Sequence, residues 1–543
     1  MLMVVTTTVA HHYFLQNGTT LDYGTIAEWI PKSQEVVPIL FQGRVPVLAW
    51  MLFAAALLYA ALGPLFLART AERWRGWPTG RFSNVPTETN FLGALGLFLL
   101  ALGFGSLSLL TGTTTLARAP FVNVVLTGVK QVNISDAGQP TEHPAAHASL
   151  AETPRNDKRN VVLIHLESTR AQSVTPYNED LKTTPFLDEL AKASLLIEWA
   201  YVVVPRSSKA TVAVNCGIDP PLYQGPEYDP GGIPVPCLAN LLKDQGYNTA
   251  FFQSSSEKMD QYGVVAGNLG YEEYYSSESM DKESFEATNY ISYEDDIMLK
   301  PSEQWLEEHK DKPFLVQYLT GTGHDDYRCL STRYGSEHFA QDNDRLNRYL
   351  NCLRLQDIFL KNLFDQYKEL GLYDDTVFVI YGDHGQEFGR HGRFLHGDTP
   401  WEEGLRVPLI VHDPKRFQNG ERVEGLSNQT DILPTVVEML GYQVENGEYP
   451  GYSLLRPLPE DRTLMFSCIS SLKCLASIKG VEKYIYHYDN QPEEVFNLSE
   501  DPLEEHNLAE EYSKEDPGKW REDLLAWLSS VNSKYCDDSS SRF

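Results

Sequence analysis

The sequence predicts an α/β fold, a mainly parallel sheet sandwiched by helices with a small C-terminal α+β subdomain, preceded by transmembrane helices. Two apolar runs carry the sheet prediction. Asn160–Leu166 (NVVLIHL) and residues 376–381 (TVFVIY) are apolar with little alternation, the pattern of strands buried on both faces. Each stops at ligand-type side chains, Glu167-Ser168 after the first and Gly382-Asp383-His384-Gly385 after the second. Open α/β sheets present ligands at the carboxyl ends of their strands. The third observation is that strand and helix patterns alternate along the chain.

The elements follow in order. Thr184-Pro185-Phe186-Leu187-Asp188-Glu189-Leu190 reads as a helix start, with a hydroxyl at the N-cap, Pro at the first helical position and early acids. Residues 195–205 return to strand, and 248–252, 314–319 and 409–412 are further short strands. Residues 346–367 have helical periodicity. After Pro457 the pattern changes: 463–466 and 483–487 read as hairpin strands and 519–531 as an amphipathic helix. The expected division is a catalytic domain at 159–457, a C-terminal subdomain at 458–531 and a tail at 532–543.

The preceding residues read as a membrane anchor. Residues 45–68 carry no charge and are bounded by Arg44 and Arg69. At helical rise they cover about 36 Å, more than a hydrocarbon core of about 30 Å. Residues 91–110 form a second run of spanning length. A buried core helix is the competing reading for each, but neither has a polar face. The loop between them holds Arg69, Arg73, Arg75 and Arg81 against Glu72 and Glu88, which places it in the cytoplasm. Residues 1–44 and everything after the second span are then extracytoplasmic. The first residues, MLMVVTTTVA, lack a basic n-region, so no signal peptide is expected there. Residues 113–158 read as a linker, rich in Ala, Pro, Thr, His and charge in its latter part.

The 543 residues carry a net charge of −29 and no long basic run, so nucleic acid is not an expected partner. Seven cysteines suit an oxidising compartment. Pairings short in sequence are Cys216 with Cys237, Cys329 with Cys352 and Cys468 with Cys474, leaving Cys536. Unpaired buried thiols are the alternative, because spacing does not fix connectivity.

The strand ends set the chemistry. Glu167 beside an Asp383-His384 pair offers two carboxylates and an imidazole, a donor set for a divalent ion. A salt bridge is the plainer reading of Glu167, since an unpaired buried carboxylate costs several kcal/mol. Pro205-Arg206-Ser207-Ser208-Lys209-Ala210-Thr211 places hydroxyls and an ammonium at a strand-to-helix turn. A metal-bound hydroxyl becomes a nucleophile and a nearby cation neutralises an attacked oxyanion. An N-cap serine for the helix beginning near Ala210 explains the same residues.

Taken together, these motifs resemble the alkaline phosphatase and sulfatase superfamily. The resemblance is to its membrane-anchored branch of lipoteichoic-acid synthase-like phosphoglycerol transferases and phosphoethanolamine transferases. It runs from about residue 160 to 508. It rests on Glu167-Ser168, the turn at Ser207, Gly323-His324, Gly382-Asp383-His384-Gly385, Trp401-Glu402-Glu403-Gly404-Leu405-Arg406-Val407-Pro408-Leu409, Asp431-Ile432-Leu433-Pro434-Thr435 and the closing stretch from Val495 to Leu508. The resemblance implies an alkaline phosphatase-like fold and one divalent metal ion (manganese, magnesium, zinc or calcium) held by Glu167, Ser207, Asp383 and His384. Ser207 would be the nucleophile, with Gly217 ten residues on matching the motif's glycine. Lys209 would bind the transferred oxyanion, and His324 and His396 would hold substrate oxygens or protonate the leaving group. Arg206 and Ser208 would contact substrate, and Arg406 would support the fold.

Two departures narrow the resemblance. Ser207 is not followed by the small third residue and the Arg of the formylglycine motif, so formylglycine is not expected. The position four residues before His324, an Asp in two-zinc relatives, is Thr320, which favours one metal. The expected function is transfer or hydrolysis of a phosphoglycerol- or phosphoethanolamine-type group through a covalent phospho-serine. The expected substrate is a lipid head group or a small phosphate or sulfate ester. A sulfuric-ester or phosphate-monoester hydrolase is the alternative, and a non-catalytic scaffold a lesser one.

Overall fold

The computed structural model of the protein describes residues 141–535 except 224, 258–259, 332, 470–473, 488–491 and 513–514, together with scattered positions up to 125. The expected span at 91–110 lies outside the described residues, as do most of 45–68 and residues 536–543 with Cys536. No described helix is long and apolar enough to cross a membrane.

The strands are β1 (Ser149–Glu152), β2 (Asn160–Leu166), β3 (Leu195–Tyr201), β4 (Asn248–Gln253), β5 (Glu273–Tyr275), β6 (Phe314–Leu319), β7 (Thr376–Gly382), β8 (Arg406–Val407), β9 (Leu409–His412), β10 (Glu421–Asn428), β11 (Tyr442–Glu445), β12 (Thr463–Ser467), β13 (Cys474–Lys479), β14 (Glu482–His487) and β15 (Glu494–Asn497). The main sheet has the order β10-β3-β9-β7-β2-β6-β4-β5, with β8 paired to β3. It is mixed: β9 runs antiparallel to both β3 and β7, and β8 antiparallel to β3, while the remaining pairs are parallel. The reversal follows from the connection. Between β7 and β9 the chain forms the four-residue helix Glu402–Leu405 and the two-residue β8, without the long crossover helix that usually joins parallel neighbours.

Both faces of the sheet are buried. Alternate β2 residues enter two apolar layers, Val161 and Leu163 on one side and Val162, Ile164 and Leu166 on the other. The helices that matter to the site are α1 (Ser207–Cys216) on the first side and α2 (Asp344–Glu369) on the second. A disulfide joins Cys216, the last residue of α1, to Cys237; the other two are Cys329–Cys352 and Cys468–Cys474.

Four segments differ from the sequence expectation. β3 ends at Tyr201, and residues 202–204 leave the sheet. Val202 joins a third apolar cluster with Phe466, Ile478 and Phe496, and Val203 O accepts from Ser467 N, so this β-branched run is buried by the C-terminal sheet and not by a ladder. β10 was unforeseen because its sequence, ERVEGLSN, is that of a charged, partly exposed edge strand. Within the stretch read as linker, β1 pairs antiparallel with β11. The C-terminal sheet has the order β12-β13-β14-β15, two strands more than the sequence suggested.

Removing the Cys216–Cys237 bridge tests how far it holds α1. The Cys216→Ser/Cys237→Ser protein should lose about 3 kcal/mol of stability, because the bridge closes a loop of similar size to those with that effect. Urea unfolding under non-reducing conditions measures it.

Candidate active site

The register of β2 against β7 builds the centre of the site. Leu166 pairs with Gly382, so the next residues, Glu167 and Asp383, emerge side by side. Both are almost fully buried, at 3% and 0% exposure. Ser168 sits at φ 52, a region costly for a residue with a Cβ. That conformation lets Ser168 N donate to Asp383 Oδ1 at 2.7 Å while its Oγ donates to Glu167 Oε1 at 2.8 Å. His384 N donates to the same Asp383 Oδ1 at 2.7 Å, which leaves Oδ2 for another partner. Gly385 is required where it stands, since a Cβ there would lie 1.9 Å from Glu403 O.

His384 Nδ1 donates to Gly385 O at 2.9 Å, which leaves the Nε2 lone pair facing the carboxylates. Nε2 lies 3.3 Å from Asp383 Oδ2 and 3.9 Å from Glu167 Oε1. Burial and the Asp383 charge push the Glu167 carboxyl up. Burial alone would raise Asp383 too, but the His384 and His165 imidazoles outweigh it and hold its carboxyl below the usual range.

Ser207 enters from the start of α1. The N-cap position is Arg206 and carries no side-chain cap, so Ser207 is the first helical residue and not the cap. Its Oγ donates to Glu167 Oε2 at 2.9 Å and lies 3.4 Å from His384 Nε2. Ser207, Glu167, Asp383 and His384 therefore converge. α1 ends at Gly217, whose φ of 62 and close approach to Leu433 explain a glycine ten residues after the serine. The donor set of two carboxylates, one imidazole and one hydroxyl fits a divalent ion, and Asp383 Oδ2 is buried without a hydrogen-bond partner.

The other expected site residues divide into two groups. The His396 ring lies 4.0 Å from that of His384, and His324 lies 6.3 Å from His396. His396 Nδ1 bonds Gln386 Oε1 at 2.9 Å and His324 Nδ1 bonds Asp325 O at 2.7 Å, so both rings have Nε2 left for substrate. Burial, with His384 and His324 nearby, lowers the His396 imidazole well below its ordinary value and keeps it neutral. Lys209, in contrast, is turned away: its Nζ lies 2.6 Å from Glu227 Oε1 and donates to Tyr223 O at 2.7 Å. Burial lowers its ammonium to about 8. Arg206 donates to Asp260 Oδ1 at 2.7 Å, and Ser208 Oγ accepts from Tyr228 OH at 2.9 Å. These two stand beside Ser207, paired with Asp260 and Tyr228. Arg406 donates to Glu198 O at 2.8 Å and covers the Trp199 ring at 3.9 Å, a structural position.

Sequence reasoning missed the supporting residues. Thr320 Oγ1 accepts from Glu167 N at 3.0 Å, and Gln356 Nε2 from α2 donates to Glu167 O at 3.1 Å. It also missed His165, whose Nε2 lies 3.1 Å from Asp383 Oδ2. Its signal was available: one polar residue inside an apolar strand, two before Glu167 and so on the same face. A second acidic group, Glu387, His391 and Glu403, was not anticipated either. His391 Nδ1 lies 2.8 Å from Glu387 Oε1, and Arg170 donates to Glu403 Oε1 at 3.0 Å with Arg390 at 3.4 Å. Glu403 is held by two guanidiniums and Glu387 by His391, so this cluster reads as structural.

An α/β sheet of alkaline phosphatase type with a serine, two carboxylates and a histidine at its strand ends defines a class of ester-cleaving or group-transferring enzymes. Residues 159–442 match the sulfatase family, and the chain belongs to it. The chain is 25% identical over 308 residues to the lipoteichoic acid synthase-like YvgJ of Bacillus subtilis, covering 55% of this chain and 50% of that protein. It is 23% identical over 323 residues to an ulvan-active sulfatase of Formosa agariphila, covering 53% and 63%. Matched to the lipoteichoic acid synthase LtaP from Listeria monocytogenes, the fold has a TM-score of 0.55 at 18% identity, over 74% of this chain and 98% of that one. The chain spans about half the length of the lipoteichoic acid synthase relatives it matches. These matches make it an enzyme of the alkaline phosphatase and sulfatase superfamily.

The Glu387–Glu403 pair gives a stability test independent of catalysis. Burial and the Glu403 carboxylate push Glu387 from 4.5 up to about 10. Its contribution is full below the unfolded value and is lost as pH rises toward the folded one. Glu403 moves oppositely, down to about 2: burial opposes this, but the Glu387 hydrogen bond and Arg170 prevail, so its contribution is lost only in acid. Glu387→Gln removes the alkaline loss. Between about pH 5 and about pH 9 the melting temperature of the variant should fall less than that of the wild type.

Proposed function

We propose that the chain is a membrane-attached phosphodiester transferase that passes a phosphoglycerol- or phosphoethanolamine-type group through a phospho-serine at Ser207. The observation that carries this reading is the contact of Ser207 Oγ with Glu167 Oε2 at 2.9 Å, at the first residue of α1. A divalent ion held by Glu167, Ser207, Asp383 and His384 would supply Lewis acidity, lowering the pKa of the hydroxyl and offsetting charge on phosphoryl oxygens.

The chain's own residues do the rest. Ser207 Oγ forms the new bond to phosphorus while the ester oxygen of the leaving alcohol departs on the opposite side. The proton on Oγ already points at Glu167 Oε2. The backbone N–H groups at the start of a helix are unpaired donors at its positive end, which suits them to the transferred phosphoryl oxygens. They replace Lys209 in that role, because its ammonium is spent on Glu227. His324 protonates the leaving alcohol. In the second half the now neutral His324 takes the proton of the incoming alcohol as the O–P bond to Ser207 breaks, and Glu167 returns to Oγ the proton it took in the first half. His396, held neutral, orients substrate oxygens.

Support for a lipid-linked donor comes from the likeness to proteins named lipoteichoic acid synthases and from the apolar runs at 45–68 and 91–110. Met51, Leu58 and Leu62, helical positions in the first run, are 64%, 61% and 57% exposed, as lipid-facing side chains would be. A sulfate- or phosphate-monoester hydrolase is the second reading, favoured by the family match and the ulvan-active sulfatase relative.

Intact mass after brief incubation with Mn2+ and phosphatidylglycerol tests the first reading. It predicts a metal-dependent adduct of phosphoglycerol mass that Ser207→Ala lacks. Turnover of an aryl sulfate or aryl phosphate with no such adduct would give the protein to the second. Under either, Asp383→Asn should lower turnover by about 10^2- to 10^4-fold, the range that loss of several kcal/mol of charge stabilisation implies.

A further inference from the structure

The turn that carries His324 is seated on a buried carboxylate that none of the foregoing chemistry uses. Asp295 is 2% exposed. Its Oδ1 accepts from Ser254 Oγ at 2.6 Å, from Gly321 N at 2.8 Å and from Thr322 N at 3.4 Å. Burial pushes its carboxyl up to about 6 against the pull of these donors, so it is ionised at neutral pH. Hydrogen bonds to an ionised acceptor are about twice as strong as neutral ones. Asp295 therefore fixes two successive N–H groups just after the end of β6.

The segment around Asp295 grips the turn at other points. Asn289 Nδ2 donates to Gly321 O at 2.8 Å, and His324 N closes the turn on that same oxygen at 3.1 Å. A Cβ on Gly321 would lie 2.2 Å from Ser292 Oγ, so the turn and residues 289–295 touch with no room for a side chain between them. The Tyr290 ring stands edge-on to the His324 ring, with centroids 5.4 Å apart. On its other side the turn meets the residue after β2: a Cβ on Gly323 would lie 2.0 Å from Glu167 O. The turn is thus clamped between residues 289–295 and Glu167, and the imidazole at its end has its place set by both.

A general acid works only with its proton in hydrogen-bond reach of the departing oxygen, and a misplacement of about 1 Å costs about 10^2-fold. We infer that Asp295 is a positioning residue for proton transfer to the leaving alcohol: it holds the Gly321–Thr322 backbone, and through it His324, where that transfer needs it. The inference rests on the leaving-group role given to His324 under the proposed function and adds to it a residue outside the metal centre. In the step concerned, Ser207 Oγ bonds to phosphorus and the P–O bond to the leaving alcohol breaks with its electron pair on oxygen. His324 gives that oxygen its proton.

The test uses two phosphodiesters that transfer the same phosphoglycerol group, phosphatidylglycerol and glycerol p-nitrophenyl phosphate. An alkoxide leaves poorly without a proton, whereas p-nitrophenolate leaves as the anion and needs none. Adduct formation at Ser207 is timed by intact mass in a single turnover of the full-length protein with Mn2+. His324→Asn should slow phosphatidylglycerol by about 10^2- to 10^4-fold and the aryl ester by less than about tenfold. Asp295→Ala should show the same selectivity, with about 10^2-fold lost on phosphatidylglycerol. Asp295→Asn, which keeps an acceptor oxygen, should recover most of that loss. If Asp295→Ala slows both esters alike, or neither, while His324→Asn is selective, the inference is overturned and the proposed function stands. If His324→Asn slows both alike, its leaving-group role fails and the inference with it. No adduct from either ester in the wild type overturns the proposed function as well. Should Asp295→Ala not fold, Asp295→Glu, which keeps the charge but shifts the carboxylate by one methylene, is read by the same selectivity.

Discussion

Two carboxylates are buried next to each other at the ends of adjacent strands, and the rest of the site is arranged around that arrangement. Glu167 and Asp383 follow the paired residues Leu166 and Gly382, so the sheet itself forces them together. Like charges in a buried site raise each other's pKa and cost stability unless a cation or a proton intervenes. The protein supplies partial compensation from neutral donors: Ser168 N and His384 N to Asp383, Ser168 Oγ and Ser207 Oγ to Glu167. The imidazoles of His384 and His165 lie against Asp383 Oδ2 at 3.3 Å and 3.1 Å. No Lys or Arg contact is seen at either carboxylate among the described residues, and Lys209 and Arg206, the nearest basic residues in sequence to the serine, are paired with Glu227 and Asp260.

The fold keeps the arrangement rigid. Thr320 from the end of β6 and Gln356 from α2 hold the Glu167 backbone from two sides. α1 is pinned at its far end by Gly217 against Leu433 and by the Cys216–Cys237 bridge, so Ser207 is presented from a fixed helix. The strain at Ser168 is offset by the hydrogen bond its N–H makes to Asp383. Catalysis by charge stabilisation gains from such preorganisation, because no reorientation is needed as charge develops.

How much of this was legible follows from what a linear pattern encodes. β2 and β7 were readable because fully buried strands are apolar throughout, and Glu167, Asp383 and His384 were readable because they interrupt that pattern at its end. Ser207 was readable from its turn and from Gly217. The direction of β9 was not, since a short, mostly apolar strand reads the same in either direction. β10 was hidden by the charge that protects an edge. Lys209 was misplaced because sequence gives a residue's position on a helix and not the buried Glu227 that captures it from 18 residues away. His165 was overlooked because a histidine inside an apolar strand is usually a satisfied core residue; its contact with Asp383 is visible only in three dimensions.

The most direct test of the account is equilibrium dialysis of the purified protein against Mn2+, with Asp383→Asn beside it. One ion per chain bound by the wild type, and none retained by the variant although it melts as a folded protein, is the predicted result. Equal binding by both, or none by the wild type, would contradict the claim that these buried carboxylates exist to hold a cation.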